Sequence, residues 1–214
     1  MRRMRPGTLA ARAWELVDVL TWIAALNLCF LVFSLLGGIV FGVAPSAVAA
    51  STLVRRRADG DIVRPITHFW PVYKAEFGRA NLLLIPVGLV VLALGFSSLY
   101  FNAGTDSLSA VLSGVAVVLL AFSVAVAALL VPLYCSYDLP LPRYLPAAVR
   151  LSLANPLMMV LNLAVIVGVL AFTWILPGIL PFFTVGLLSY LGTRLSLDFI
   201  NRNEKRRSAD PITG

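Results

Sequence analysis

LLLIPVGLVVLALGFSSLYF, Leu82–Phe101, runs for twenty residues without a charge and ends on an aromatic pair. About twenty apolar residues carry a helix across the hydrocarbon core of a bilayer, and Tyr100-Phe101 is the kind of pair that settles at headgroup level. Reading this stretch as a transmembrane helix decides the fold, and its surroundings repeat it. Asp, Glu, Lys and Arg are missing from residues 19–54, 80–105, 107–137 and 151–193. Over all 214 residues the apolar set makes up 60% and charged residues 13%, with a mean hydropathy of +0.92. A soluble domain carries about 25% charged residues, and so few charges could not cover its surface. The fold class that follows is all-α: a polytopic transmembrane helical bundle with a broken N-terminal helical region, five or six membrane segments in one integral membrane domain over 1–214.

Outward from Leu82–Phe101 the boundaries follow from charge and proline. A span over 81–101 is followed by the polar turn Asn102–Ser107 and a second span over 108–134. Asp138-Leu-Pro-Leu-Pro-Arg-Tyr-Leu-Pro146 then reads as a link, because proline does not fit a regular helix interior. The run 151–193 is too long for one helix and divides at Trp174-Ile-Leu-Pro-Gly-Ile-Leu-Pro181, which predicts helices at 157–175 and 182–199 and a cytoplasmic tail at 200–214. The run 19–54 is also too long for one simple span. Gly37-Gly38, Gly42 and Pro45 crowd its centre, so 14–57 reads as a broken helical region. A first helix ends near Leu36, and a second piece starts near Pro45, since proline is tolerated in a first turn. That second piece is either a compact span or a half-helix packed among the others. The basic start, Met1–Arg5, superficially fits a signal sequence. However, Arg12, Glu15 and Asp18 interrupt the approach and no small-residue cleavage site precedes a polar domain, so the first helix is read as uncleaved.

Charge placement orients the bundle. The formal net charge is +7, and the bases gather at 1–15, 55–79, 135–150 and 194–214, leaving a lone Asp106 in the turn at 102–107. Placing every basic segment in the cytoplasm makes the spans alternate. It also puts the N-terminus inside, which requires 19–54 to cross twice or not at all. The bases sit at span ends rather than on a soluble module, which argues against nucleic acid as a partner. In the cytoplasmic interfacial segment, 58–80, Ile66–Ala80 reads as a short amphipathic helix: Phe69, Tyr73 and Phe77 recur every four residues, with Trp70 alongside and Lys74, Glu76 and Arg79 on other faces. A connecting helix packed on the bundle reads equally well.

No catalytic or metal-binding constellation is visible, so no cofactor is expected and the chain is read as a non-enzyme. There is one histidine, His68, without a nucleophile nearby in sequence, and neither GxxxxGK[ST] nor GxGxxG occurs. Asp59 and Asp61 flank Gly60 as ordinary turn residues. Cys29 and Cys135 lie in apolar segments without CxxC spacing, as small packing residues do. Within the spans the polar candidates are amides and hydroxyls. Asn27 and Asn162, flanked by aliphatics, suit interhelical hydrogen bonds; the alternative is that they line a solute path. At the break, Gly42 and Pro45 are expected to turn the chain closely against Arg79–Asn81 or a neighbouring helix, with the Asn81 amide bonding exposed backbone groups; the alternative is that Asn81 caps or solvates the start of its own span.

The ordered set Gly42-Val-Ala-Pro45-Ser-Ala47, Arg56, Gly60-Asp61, Phe69-Trp70, Lys74, Phe77 and Arg79-Ala-Asn-Leu82 resembles the YesL-like family of small bacterial integral membrane proteins of unknown function. Ser46 stands where many relatives place alanine. The resemblance implies a multi-pass protein of the bacterial cell membrane with the lipid bilayer as its surroundings. It also implies a place near carbohydrate uptake by ATP-driven transporters, as an accessory or regulatory component partnered with the permease through Trp70, Tyr73, Lys74 and Arg79. The rival expectation is an autonomous small-solute transporter with its path between the broken N-terminal helix and the spans holding Asn155 and Asn162.

Overall fold

A computed structural model describes residues 9–175. They form six helices: α1 (Leu9–Leu36), α2 (Val40–Ala58), α3 (Pro65–Asn102), α4 (Ser107–Ser136), α5 (Leu141–Ala154) and α6 (Pro156–Ile175). The helix expected over 182–199 and the tail at 200–214 lie outside the described residues. Among the described residues three stretches are long and apolar enough to cross a membrane, Val17–Leu36, Pro65–Asn102 and Ser107–Ser136. A fourth is added if α5 and Met159–Val169 of α6, which meet at 98°, count as one bent span. The protein is an all-α, multi-span membrane protein.

Two glycines in the left-handed region end the first two helices. Gly38 has φ +69°; its N–H donates to the Leu35 carbonyl at 2.9 Å, and the next N–H, of Ile39, donates to the Ser34 carbonyl at 2.9 Å. Gly60 has φ +97°, and the same pair of bonds recurs, Gly60 N–H to Arg57 O and Asp61 N–H to Arg56 O. This is the Schellman arrangement, which satisfies carbonyls that a helix end leaves without partners. Arg55, Arg56 and Arg57 in the last turn of α2 oppose the negative end of its dipole.

The turn between α1 and α2 is completed by a residue ill suited to it. Ile39 has φ 64° and ψ −67°, and Val40 N–H closes a three-residue turn on Gly38 O at 2.8 Å. A β-branched residue there is strained, and Ile39 is 59% exposed, so little packing holds it. Ile39→Gly is expected to stabilise the protein by about 1 kcal/mol, read as a higher unfolding midpoint in detergent micelles. A lower midpoint would show that the isoleucine side chain matters more than the strain.

From this turn α2 runs back along α1 and beside the first half of α3. One cluster joins Trp22, Leu26 and Phe30 of α1 to Ala50, Leu53 and Val54 of α2 and Phe69 and Tyr73 of α3. At the open end of the hairpin Arg57 binds Asp18 at 2.7 Å and lies 4.6 Å from the Trp22 ring, while Trp22 Nε1–H donates to Val63 O at 2.9 Å. The second half of α3 pairs with α4. Leu83 and Val87 pack on Val126, Leu130 and Leu133, and Tyr144 and Ala148 of α5 cover them. Asp106 starts α4 as its N-cap, accepting from Ser109 N–H. The Ser109 hydroxyl, donating at 2.5 Å, is the main reason its carboxyl lies below the usual carboxylate range.

Two boundaries differ from the sequence expectations. Residues 66–80 and 81–101 are not separate elements but one helix of 38 residues. Pro71 falls in its second turn, and Pro86 removes one backbone bond from a helix held on both sides by packing. The proline-rich link also differs, because from Leu141 it is helix α5. Pro140 is its N-cap and Pro142 lies in its first turn, where a missing N–H costs nothing. Tyr144, Ala148 and Ser152, four residues apart, form its buried stripe.

Candidate functional site: a polar cleft at the basic end

The residues singled out at the break come together. Proline at 45 has no N–H, so the carbonyl of Phe41, four residues earlier, lacks its helical donor. Asn81 of α3 supplies one: its Nδ2–H donates to Phe41 O at 2.9 Å and to Phe77 O of its own helix at 2.8 Å. Gly42 lets α2 approach α1, since a β-carbon built on it would lie 2.2 Å from Ser34 O. Gly37 does the same from the other side, where a β-carbon would lie 2.3 Å from Gly42 Cα and 2.6 Å from the Tyr73 hydroxyl.

The aromatic and basic residues of α3 do not share one face. Tyr73 is 4% exposed, stacked on Trp70 and tilted against Phe33, whereas Trp70 is 49% exposed. Tyr73 is therefore turned away from any partner that meets Trp70. Lys74 and Arg79 are exposed. His68 is exposed as well, and its Nδ1 accepts from Arg64 N–H at 3.0 Å, a cap on the start of α3. Asn27 is fully buried in α1, and Asn162 is buried on α6; the Asn162 Nδ2 has no hydrogen-bond partner among the described residues.

A cleft of about 610 Å³ opens where the end of α2, the middle of α3, the end of α4 and the start of α5 meet. Arg55, Glu76, Arg79, Tyr134, Asp138 and Tyr144 stand in its wall. Tyr134 Oη–H donates to the Glu76 carboxylate at 2.5 Å, and Arg55 donates to the Cys135 carbonyl in the last turn of α4. Tyr144 pins the link between α4 and α5: its hydroxyl donates to Tyr137 O at 2.6 Å and accepts from Leu139 N–H at 2.9 Å. On the other side of the Glu76–Tyr134 bond lies a second cleft of about 440 Å³, with Thr52, Arg56 and His68 among its lining residues. The arrangement brings guanidinium, carboxylate and phenol groups to one opening. Among the described residues no three His, Cys, Asp or Glu side chains gather as a metal centre would need. Sequence reasoning missed the Glu76–Tyr134 and Arg55–Cys135 pairs, whose one signal is the placement of charges at 55, 76 and 79 beside the end of an uncharged run.

Residues 23–98, from α1 through the break and most of α3, match the family described as "Protein of unknown function, DUF624". Among known proteins the chain is similar to three from Bacillus subtilis (strain 168). The uncharacterized protein YesV is 36% identical over 164 residues, covering 75% of this chain and 78% of the relative. The uncharacterized protein YteU is 34% identical over 176 residues, covering 79% and 76%. The uncharacterized protein YesL is 28% identical over 194 residues, covering 89% and 91%. No solved structure matches the chain significantly. With its long apolar helices and relatives aligned over most of their length, the chain belongs to the family of bacterial multi-pass membrane proteins that includes YesV, YteU and YesL.

Proposed function

We propose that the protein is a non-enzymatic accessory or regulatory component of a membrane transport system, presenting the basic end of its bundle to a transport permease. The observation that carries this reading is where the charged groups lie. Arg55, Arg56, Glu76, Arg79 and Asp138 line clefts at one end, while α3 and α4 continue beyond them for 80–105 and 107–137 without a charge. Such a layout suits recognition at one face better than conduction between two. That the permease belongs to an ATP-driven carbohydrate transporter rests on the family resemblance alone. Trp70 and Lys74 are the exposed residues proposed to meet it. A photo-crosslinking residue at position 70, used in native membranes, is expected to capture a permease subunit identifiable by mass spectrometry. Capture of copies of itself only, together with solute flux in proteoliposomes holding the purified chain alone, would replace this reading with the autonomous transporter.

The same reading assigns the α1–α2 hairpin an entry and a return on the basic face, so that it adds an even number of crossings. The Asp18–Arg57 ion pair and the Trp22–Arg57 contact support it by keeping the start of α1 beside the end of α2. Cysteines placed at Met4 and Gly60 are both expected to react with an impermeant maleimide only from the cytoplasmic side. Reaction of position 4 from outside would exclude this topology.

A further inference from the structure

The first cleft combines charges of both signs in a way that points to one class of ligand. Arg55 and Arg79 bring two guanidinium groups to its wall, and Glu76 and Asp138 bring two carboxylates. Two of the four are already engaged. Glu76 accepts from Tyr134, and Arg55 donates to Cys135 O and lies 3.8 Å from Asp59. Arg79 and Asp138 have neither a hydrogen bond nor an ion pair with another described side chain. Among the described residues the cleft therefore offers one cation and one anion without a side-chain partner.

Its depth says where the ligand comes from. The cleft lies where the uncharged run of α4 gives way to Tyr137-Asp138, and Tyr134, Tyr137 and Tyr144 ring it, as aromatic side chains do at the headgroup level of a bilayer. A volume of about 610 Å³ is in the range of small-ligand sites.

We propose that this cleft holds the headgroup of a zwitterionic aminophospholipid of the ethanolamine kind, its phosphate on Arg79 with Arg55 behind it and its ammonium on Asp138. A phosphodiester accepts charge-assisted hydrogen bonds from guanidinium. A primary ammonium donates to a carboxylate through hydrogens that a trimethylated choline lacks, and a glycerol headgroup has no cation to offer.

The test uses the full chain purified in detergent and offered equimolar dioleoyl phosphatidylethanolamine, phosphatidylcholine and phosphatidylglycerol, with lipid retention read by native mass spectrometry. Phosphatidylethanolamine should be retained about tenfold over phosphatidylcholine, the difference made by one good polar contact. Asp138→Asn should erase that preference by lowering phosphatidylethanolamine retention to the level of phosphatidylcholine, with phosphatidylcholine retention nearly unchanged. Arg79→Gln should lower retention of every phospholipid about tenfold, with the unfolding midpoint of each variant measured beside it. The wild-type comparison stands even if a variant fails to fold. Equal retention of the three lipids, or preference for phosphatidylglycerol, would overturn the assignment. Displacement of lipid by soluble O-phosphoethanolamine, mole for mole, would overturn the lipid in favour of an aqueous ligand.

Discussion

Asn81→Leu is expected to destabilise the protein by about 1–3 kcal/mol, the cost of leaving a buried carbonyl without a donor, and Pro45→Ala in the same chain is expected to return much of that loss. The two residues are coupled through a third. Pro45 cannot donate to Phe41 O, and Asn81 Nδ2 does so from the neighbouring helix at 2.9 Å. Leucine at 81 fills a similar volume but strands the carbonyl. Alanine at 45 then restores an N–H four residues along the helix, where an ordinary α-helical bond forms. The cost of Asn81→Leu should therefore be smaller in the Pro45→Ala background by about 1 kcal/mol or more, a coupling typical of residues in one hydrogen-bond network. Unfolding midpoints of the wild type, both single variants and the double variant measure it. Equal costs of Asn81→Leu in the two backgrounds would mean that Asn81 merely fills space.

Gly42→Ala should do more damage than its single methyl suggests, about 3 kcal/mol or more. A β-carbon at 42 would stand 2.2 Å from the Ser34 carbonyl oxygen and 2.7 Å from Ser34 Cα. These are backbone atoms, so no rotamer change relieves the clash, and α1 and α2 must part near their turn. Overpacking of this kind typically costs about 1–3 kcal/mol, and more where nothing can yield. Parting the helices also pulls Phe41 away from Asn81, which adds to the loss. Gly88 is the control: it lies within α3, and a β-carbon there meets nothing within 4 Å. Gly88→Ala should be neutral or stabilising by up to about 1 kcal/mol. Similar midpoints for the two alanine variants would contradict the close approach at 42.

Some of this architecture was legible because a membrane imposes strong rules on local sequence. Leu82–Phe101 announces a span by length and lack of charge, and Ser107–Ser136 does so equally. The double glycine at 37–38 announces a stop, since a left-handed residue is what closes a Schellman end. The continuity of α3 was harder to see. Lys74, Glu76 and Arg79 look like the limit of a span, yet charge marks where a helix meets water and not where its backbone ends. In α5 proline was weighed as a breaker, although position decides much of its effect: Pro140 and Pro142 fall at the cap and first turn, and the helix continues through Pro146 at the loss of one backbone bond. The bond from Asn81 to Phe41 was legible in half: a broken helix needs a donor, and an amide stands at the right place to give one. The cleft was not legible at all. Its charges come from α2, α3 and the link after α4, and only the packing of α4 between α3 and α5 brings Tyr134 to Glu76 and Asp138 into the same cleft as Arg79.

The stagger of the two hairpins along α3 bears on the lipid around them. At about 1.5 Å per residue, the 38 residues of α3 measure about 57 Å, nearly twice the hydrocarbon thickness of about 30 Å. The tip of the first hairpin meets α3 at Asn81, near its midpoint, while α4 lines the length beyond. Apolar side chains face outward along both stretches, Leu28, Val32 and Leu36 on one and Leu92, Phe96 and Leu99 on the other. Lys74 and Arg79 are exposed, so the charged middle of α3 belongs at headgroup level and about 35 Å of the helix, from Ala80 on, is left to cross the hydrocarbon. A stretch a few Å longer than the hydrocarbon is thick leans or thickens the leaflets, at an elastic cost of fractions of a kcal/mol per Å of mismatch. Acyl-chain length thereby becomes a force on the angle of α3, and membranes of different thickness would hold this protein at different tilts.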